Sequence, residues 1–288
     1  MSEPSVDAAW LCVLDAMNAD WSSVMSLPLA LGNLRLDIQH GGEWQCDGAV
    51  GDEVRNLFDI LLPLVARAGP LAIAQLGQSL DGRIATVTGA SHYVNGVESR
   101  THLHRLRALV DAVLVGAGTV AADDPQLSVR LVAGRHPLRV VLDPRGRLPA
   151  ERHVFQSGEA PTLHLVGEGA PPIGPVGEHV ERIVMPFGEG GIEAGIEPRA
   201  VLEALASRGF ERVLIEGGGL TVSRFLEAGV LHRLHLLVAP LLIGSGRPGL
   251  TLTPIDTLDR ALRPVARTFS CGDDTLFDLA LVTATVTP

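Results

Sequence analysis

Residues 212–226 read RVLIEGGGLTVSRFL, and this stretch decides the fold. Val213, Leu214 and Ile215 form a short apolar run of the kind that a buried parallel strand presents. Glu216 ends the run, three glycines follow, and a helical pattern begins near Leu220. A strand that enters a helix through glycines brings backbone N–H groups together, where an anion is favoured. The pyrophosphate of a dinucleotide suits that geometry. The order is neither GxGxxG with an acid ending the next strand, nor GxxxxGK[ST]. A Rossmann domain and a P-loop are therefore set aside. Read alone, the glycines also describe a plain strand-to-helix turn.

The same alternation extends in both directions. LAIAQL, GRIATVT, AVLV, LRVVLD, PTLHLV and RIVM are short strand-like runs upstream. PRAVLEALASRG is a helix with Pro198 near its start and Gly209 past its end. The helix LTVSRFLEAG stops at Gly229, and RLHLLVAPLLIG and the run from Ala261 to Val286 return to strands. The expected fold is α/β: a mainly parallel central sheet flanked by helices, with antiparallel C-terminal edge strands. Asn95 is placed to cap the helix over GVESRTHLHRLRALV, with Glu98 at the reciprocal capping-box position.

Residues 1–66 read differently and form a small N-terminal α+β extension, an accessory module ahead of a main domain at 67–288. SVDAAWLCVLDAMN and DEVRNLFDILLPLVARAG are helices, and LRLDIQHGGEWQCDG turns at Gly41 and Gly42 as a hairpin. A net charge of −10 speaks against nucleic-acid binding, which needs a basic face. Cys12, Cys46 and Cys271 are widely spaced, with no CxxC pair and no zinc signature, so no metal is expected. Cysteine usage fits a reducing cytoplasm, the N-terminus has no secretory pattern, and no apolar run spans a bilayer.

Three further stretches carry chemistry. VGAGTVAADDPQLSVR, Val115–Arg130, runs from a strand end through small residues to the adjacent acids Asp123 and Asp124. Like charges side by side imply a solvated turn or a task, with Arg130 close enough in sequence to offset them. On the helix after Asn95, Arg100, His104 and Arg107 share one stripe. Arg100 and His104 are expected to lie on a solvated face, and two guanidiniums of the region suit a phosphate. QLGQSLDGRIATVTGASHY, Gln75–Tyr93, supplies a turn and a polar loop that would border a flat ligand.

SLDGRIA, VGAGTVAADDPQLSVR, LRVVLD, LIEGGG and VAPLLIGSG, in this order and spacing, resemble the reductase family of riboflavin biosynthesis. That family includes the C-terminal domain of the bifunctional deaminase-reductase, and the resemblance covers roughly Leu71–Val286. It implies a dihydrofolate-reductase-like fold, an NADPH-dependent oxidoreductase and a homodimer. The implied reaction reduces 5-amino-6-(5-phosphoribosylamino)uracil to the ribitylamino product, with hydride reaching ribose C1′. Carried over, Gly77, Tyr93, Thr119 and Asp123 contact the cofactor, and Gly218, Gly219, Leu220, Thr221, Val222, Ser223 and Arg224 wrap its phosphates. Ser91, Arg107, Leu127, Arg130 and Glu216 contact the substrate. Asp123, Glu216 or water supplies the proton. The loop TGASHY departs from the family pattern, with Ala90 in place of an acid and Tyr93 in place of tryptophan. Two alternatives stand beside this reading: a reductase of a related heterocycle such as a dihydropterin, and a non-catalytic NADPH-binding relative.

Overall fold

The computed structural model describes residues 3–91 and 94–281. Its first compact unit runs to Leu71, and the second begins at Ala72.

The first unit opens with α1 (Val6–Met17), capped by the Ser5 hydroxyl, which accepts from the Ala8 N–H. Three strands follow, β1 (Ser26–Leu31), β2 (Leu34–Gln39) and β3 (Trp44–Cys46), and then α2 (Asp52–Val65). β1–β2 and β2–β3 are antiparallel. The β2–β3 pair is the expected hairpin, turning through Gly41 and Gly42 at φ +93° and +90°. β1 was not expected. Pro28 weakens its strand signal, and proline is tolerated there because β1 is an edge strand.

The second unit is one nine-stranded sheet with helices. Its elements are β4 (Leu71–Ser79), β5 (Arg83–Thr86), α3 (Val97–Ala108), β6 (Ala112–Gly116), α4 (Ala117–Asp123), β7 (Leu138–Leu142) and α5 (His153–Gln156). They continue with β8 (Thr162–Gly167), β9 (Val180–Met185), α6 (Pro198–Ala206), β10 (Arg212–Glu216) and α7 (Gly219–Glu227). β11 (Arg233–Ala239), β12 (Gly246–Pro248), β13 (Val265–Cys271) and β14 (Asp274–Ala280) complete it. The strand order is β13-β14-β11-β4-β10-β6-β7-β8-β9, with β5 and β12 forming a separate ribbon. β10–β6, β6–β7, β7–β8, β8–β9 and β11–β4 are parallel. β13–β14 and β14–β11 are antiparallel. The expected fold class is therefore the observed one. Every residue of β7 and β8 is buried, polar Arg139, Thr162 and His164 included, and Thr162 Oγ1 donates to the Val154 carbonyl while His164 Nε2 lies 3.3 Å from Asp143 Oδ2. Leu114, Val140, Ile215, Val222 and Phe225 form the centre of the core between sheet and helices.

Two local expectations change. Asn95 does not cap α3, and no capping box forms. The N-cap is Gly96, which has no side chain to offer, and a carboxylate from β14 replaces it. The small-residue turn after β6 is the short helix α4, which ends in Asp123 before Asp124 turns left-handed at φ +41°.

Candidate active site

A cavity of about 920 Å³ opens over the C-terminal ends of β4, β10, β6 and β7. Open α/β sheets bind ligands at such strand ends. Its floor includes Gly77, Gly116, Leu142 and Glu216, and α3, α4 and α7 supply its walls.

The glycine turn is shaped by close approach. Gly217 adopts φ +98°, which a side chain disfavours. Gly218 donates its N–H to Thr119 Oγ1 at 2.8 Å, so the turn before α7 is tied to α4. A Cβ on Gly219 would stand 1.6 Å from the Gly249 carbonyl oxygen, which forces glycine there. Gly118 is different. A Cβ there meets nothing within 4 Å, and the residue lines the cavity. The backbone of α4 thus faces open space that a ligand can fill. Leu220, Thr221 and Arg224 of α7 also line the cavity. Val222 and Ser223 do not: Val222 is core, and the buried Ser223 hydroxyl accepts from the Thr251 N–H. The helical period turns these two inward, which corrects their assignment to the phosphate wrap.

On the α3 wall, Arg107 and Glu216 form a buried bidentate pair. Arg107 Nε and Nη2 each donate to a Glu216 oxygen at 2.9 Å, and Nη1 donates to the Ser128 carbonyl at 3.1 Å. Arg107 is 6% exposed and Glu216 4%, yet both border the cavity. His104, expected on a solvated face, is buried instead. Its Nδ1 accepts from the Arg130 N–H at 2.9 Å, and burial, with Arg107 and Arg130 nearby, pushes its pKa down to about 4. Of the α3 stripe, His104 and Arg107 face inward because the α3 wall closes on the stretch Leu127–Arg130, whereas Arg100 near the helix start is exposed as expected. Arg130 itself is exposed, donates to Ser128 Oγ at 2.9 Å, and does not line the cavity. Among the described residues no ion pair joins it to Asp123 or Asp124, whose oxygens instead accept from Ser91 and His153.

The adjacent acids are separated by the helix end. Asp123 is exposed, borders the cavity and accepts from Ser91 Oγ at 3.3 Å. Asp124 turns away and accepts from the His153 N–H at 2.9 Å. Leu127, buried at φ +59°, lines the cavity below them. Gly77, Ser91, Thr119 and Asp123 therefore meet Arg107, Leu127 and Glu216 in one cleft, while Tyr93 lies outside the described residues. Sequence reasoning missed Gln75, Asn95, Ser99 and Leu103 on the floor and α3, and Arg247 on β12. No local signal marks them, because pairing distant in sequence brings them to the cleft. Arg145, Arg147 and Glu193 stand at the β7 end, where Arg145 pairs with Glu193 at 2.9 Å. Among the described residues, no cluster of His, Cys, Asp or Glu is placed to hold a metal ion.

The family model of the RibD C-terminal domain matches residues 70–275. The chain belongs to this family. It is 34% identical over 221 residues to the 2,5-diamino-6-ribosylamino-4(3H)-pyrimidinone 5′-phosphate reductase of Methanothermobacter thermautotrophicus, covering 73% of this chain and 97% of that protein. It is 32% identical over 200 residues to the riboflavin biosynthesis protein RibD of Aquifex aeolicus, covering 69% of this chain and 54% of that one. The chain thus spans nearly all of the archaeal relative and about half of the Aquifex protein. The solved deaminase/5-amino-6-(5-phosphoribosylamino)uracil reductase of Thermotoga maritima superposes with a TM-score of 0.60 at 27% identity, covering 80% of this chain and 62% of its own. This family places the second unit among dihydrofolate-reductase-like folds.

Proposed function

We propose that the second unit is an NADPH-dependent reductase acting on 5-amino-6-(5-phosphoribosylamino)uracil and yielding the ribitylamino product of riboflavin biosynthesis. The observation that carries this reading is the single cleft in which the α4–α7 glycine turns face the buried Arg107–Glu216 pair. The residues fit a dinucleotide. Gly118 leaves open space over backbone, and the first turn of α7 favours phosphate oxygens. Gly218, Gly219, Leu220, Thr221 and Arg224 would hold those phosphates, with Gly77 and Thr119 bordering the nicotinamide end. When bound, the reduced nicotinamide supplies hydride to C1′ of the opened ribose.

The chain's own part is alignment, exclusion of water and proton delivery. Glu216, locked by Arg107, presents a fixed carboxylate edge to the pyrimidine, while Ser91 and Leu127 close the space around it. Asp123 is the better candidate to relay a proton from water to the substrate, because it borders the cleft, is exposed to solvent and accepts from Ser91 Oγ. Arg107 spends three of its five N–H donors on Glu216 and the Ser128 carbonyl, and with Arg130 it is the candidate partner of the substrate phosphate. The exposed apolar residues Leu258, Leu262 and Val265 beside the edge strand β13 support a homodimer formed there. No helix among the described residues is long and apolar enough to cross a membrane, and the described cysteines are all free thiols, which supports a cytoplasmic setting.

A second substrate reading follows from the archaeal relative, which is named for the 2-amino pyrimidinone rather than the uracil. The test follows NADPH absorbance with the purified protein and each pyrimidine in turn. Oxidation with the uracil supports the first reading, and oxidation with the diaminopyrimidinone alone supports the second. NADPH binding without oxidation of either would leave a non-catalytic relative or a reductase of another heterocycle.

A further inference from the structure

The tip of the C-terminal hairpin reaches the first turn of α3, and the contact is a carboxylate. Asp274 begins β14 and is 4% exposed. Its Oδ2 accepts from the Gly96 N–H at 3.0 Å, from Asn95 Nδ2 at 3.0 Å and from the Ser99 hydroxyl. Gly96 is the N-cap of α3, so Asp274 provides from a remote strand the acceptor that a capping side chain normally provides locally. The fit around it is close. Ser99 Oγ lies 3.7 Å from Cys271 Sγ, and a Cβ on Gly272 would meet Glu98 Oε2 at 2.5 Å.

Two of the three donors are cleft residues. Asn95 and Ser99 both line the cavity, whereas Asp274 does not. Asn95 Oδ1 stands over Gly77, where a Cβ would lie 1.9 Å from it, so the amide fills the space beside the cavity floor. Leu103 and Arg107, further along the same helix, border the same cavity. A shift at the start of α3 therefore reaches every α3 side chain that meets a ligand.

We propose that Asp274 is a positioning residue of the cleft, setting Asn95 and the start of α3 from a hairpin that touches no ligand. Its functional consequence rests on the reading of the cleft given under Proposed function.

Asp274→Ala removes all three acceptor contacts, whereas Asp274→Asn keeps an oxygen for them. Hydrogen exchange over residues 95–103 reads the positioning in the free protein, and steady-state kinetics with the pyrimidine substrate reads its consequence. For Asp274→Ala we expect about tenfold faster exchange at Gly96–Arg100 and a KM raised about tenfold, with kcat within about threefold of wild type. Asp274→Asn should recover most of both. Asn95→Ala should raise KM by a similar factor, and the double variant Asp274→Ala/Asn95→Ala should be no worse than either single one. Unchanged exchange and KM, or single effects that multiply in the double variant, would overturn the proposal. If Asp274→Ala does not fold, Asp274→Ser, whose hydroxyl is too short to reach all three donors, carries the same comparison with Asp274→Asn. Faster exchange in a protein whose wild type turns over neither pyrimidine would overturn the reading of the cleft and uphold the contact.

Discussion

The α3 wall of the cleft and its α4–α7 wall hold their polar groups on different terms. On the α3 wall, Arg107, Glu216 and Ser99 are buried and each has a partner inside the protein, as does His104 buried behind them, and only Arg100 near the helix start is an exposed charge among its described cavity-lining residues. On the α4–α7 wall, Asp123 and Gly118 are exposed, and the exposed Arg145 pairs with the exposed Glu193. The first wall carries its shape before any ligand arrives. The second keeps charge and backbone available, which suits a ligand that brings its own phosphates. Disturbing the first wall should therefore damage stability as well as activity, and disturbing the second should damage activity alone.

The largest effect is expected from Glu216→Ala. It strands Arg107 as a buried charge, which costs about 3–5 kcal/mol, readable in urea unfolding, and turnover should fall to background. A loss under about 1 kcal/mol would mean that water reaches Arg107 and that the wall is not dry. Asp123→Asn tests the other wall. Turnover should drop about 10²-fold or more, with unfolding free energy within about 0.5 kcal/mol of wild type. Equal loss of stability would place Asp123 with the structural groups.

Thr119→Val joins the two kinds of effect. It removes the acceptor of the Gly218 N–H, at a cost of about 1 kcal/mol, and should weaken NADPH binding about fivefold in calorimetry. The pH dependence of stability sharpens the comparison further. His104 is neutral in the fold, with its pKa lowered to about 4 from 6.5, so the unfolded chain takes up a proton first as pH falls. Its contribution is complete above pH 6.5 and is lost between there and about pH 4. Buried His102 and His235, also lowered by desolvation, add to the same slope. His104→Gln should flatten part of that slope in unfolding measured against pH. The smallest stability effect is expected from Arg130→Ala, within about 0.5 kcal/mol. A raised KM in that variant would assign Arg130 to the substrate phosphate, and an unchanged KM would leave the phosphate to another cation.

Much of the second unit was legible because its strands are short, rich in branched apolar residues and separated by glycine and proline punctuation. Pro198, Gly209 and Gly229 bound their helices as expected. The glycine turn at Gly217–Gly219 was legible as a run of glycines, which Gly217 needs for its φ of +98° and Gly219 for its approach to the Gly249 carbonyl. The inward face of α3 was not legible. Arg107 and His104 have the composition of a solvated stripe, and only their partners, Glu216 and the Arg130 backbone 109 and 26 residues away, make them buried. Val222 and Ser223 lay within the motif but point into the core, because a contiguous motif says nothing about which helical face meets the cleft.

The amino-acid sequence by itself determined the α/β alternation, the strand-to-glycine-to-helix turn and the acid pair at the end of α4, because these rest on local periodicity and backbone conformation. Only the tertiary structure decided which charges are engaged and which remain available. It paired Arg107 with Glu216, sent Asp123 toward Ser91 and Asp124 toward His153, and capped α3 with Asp274. Each of those contacts joins groups far apart in the chain, and the energy of a charge depends on the neighbours and solvent that folding gives it.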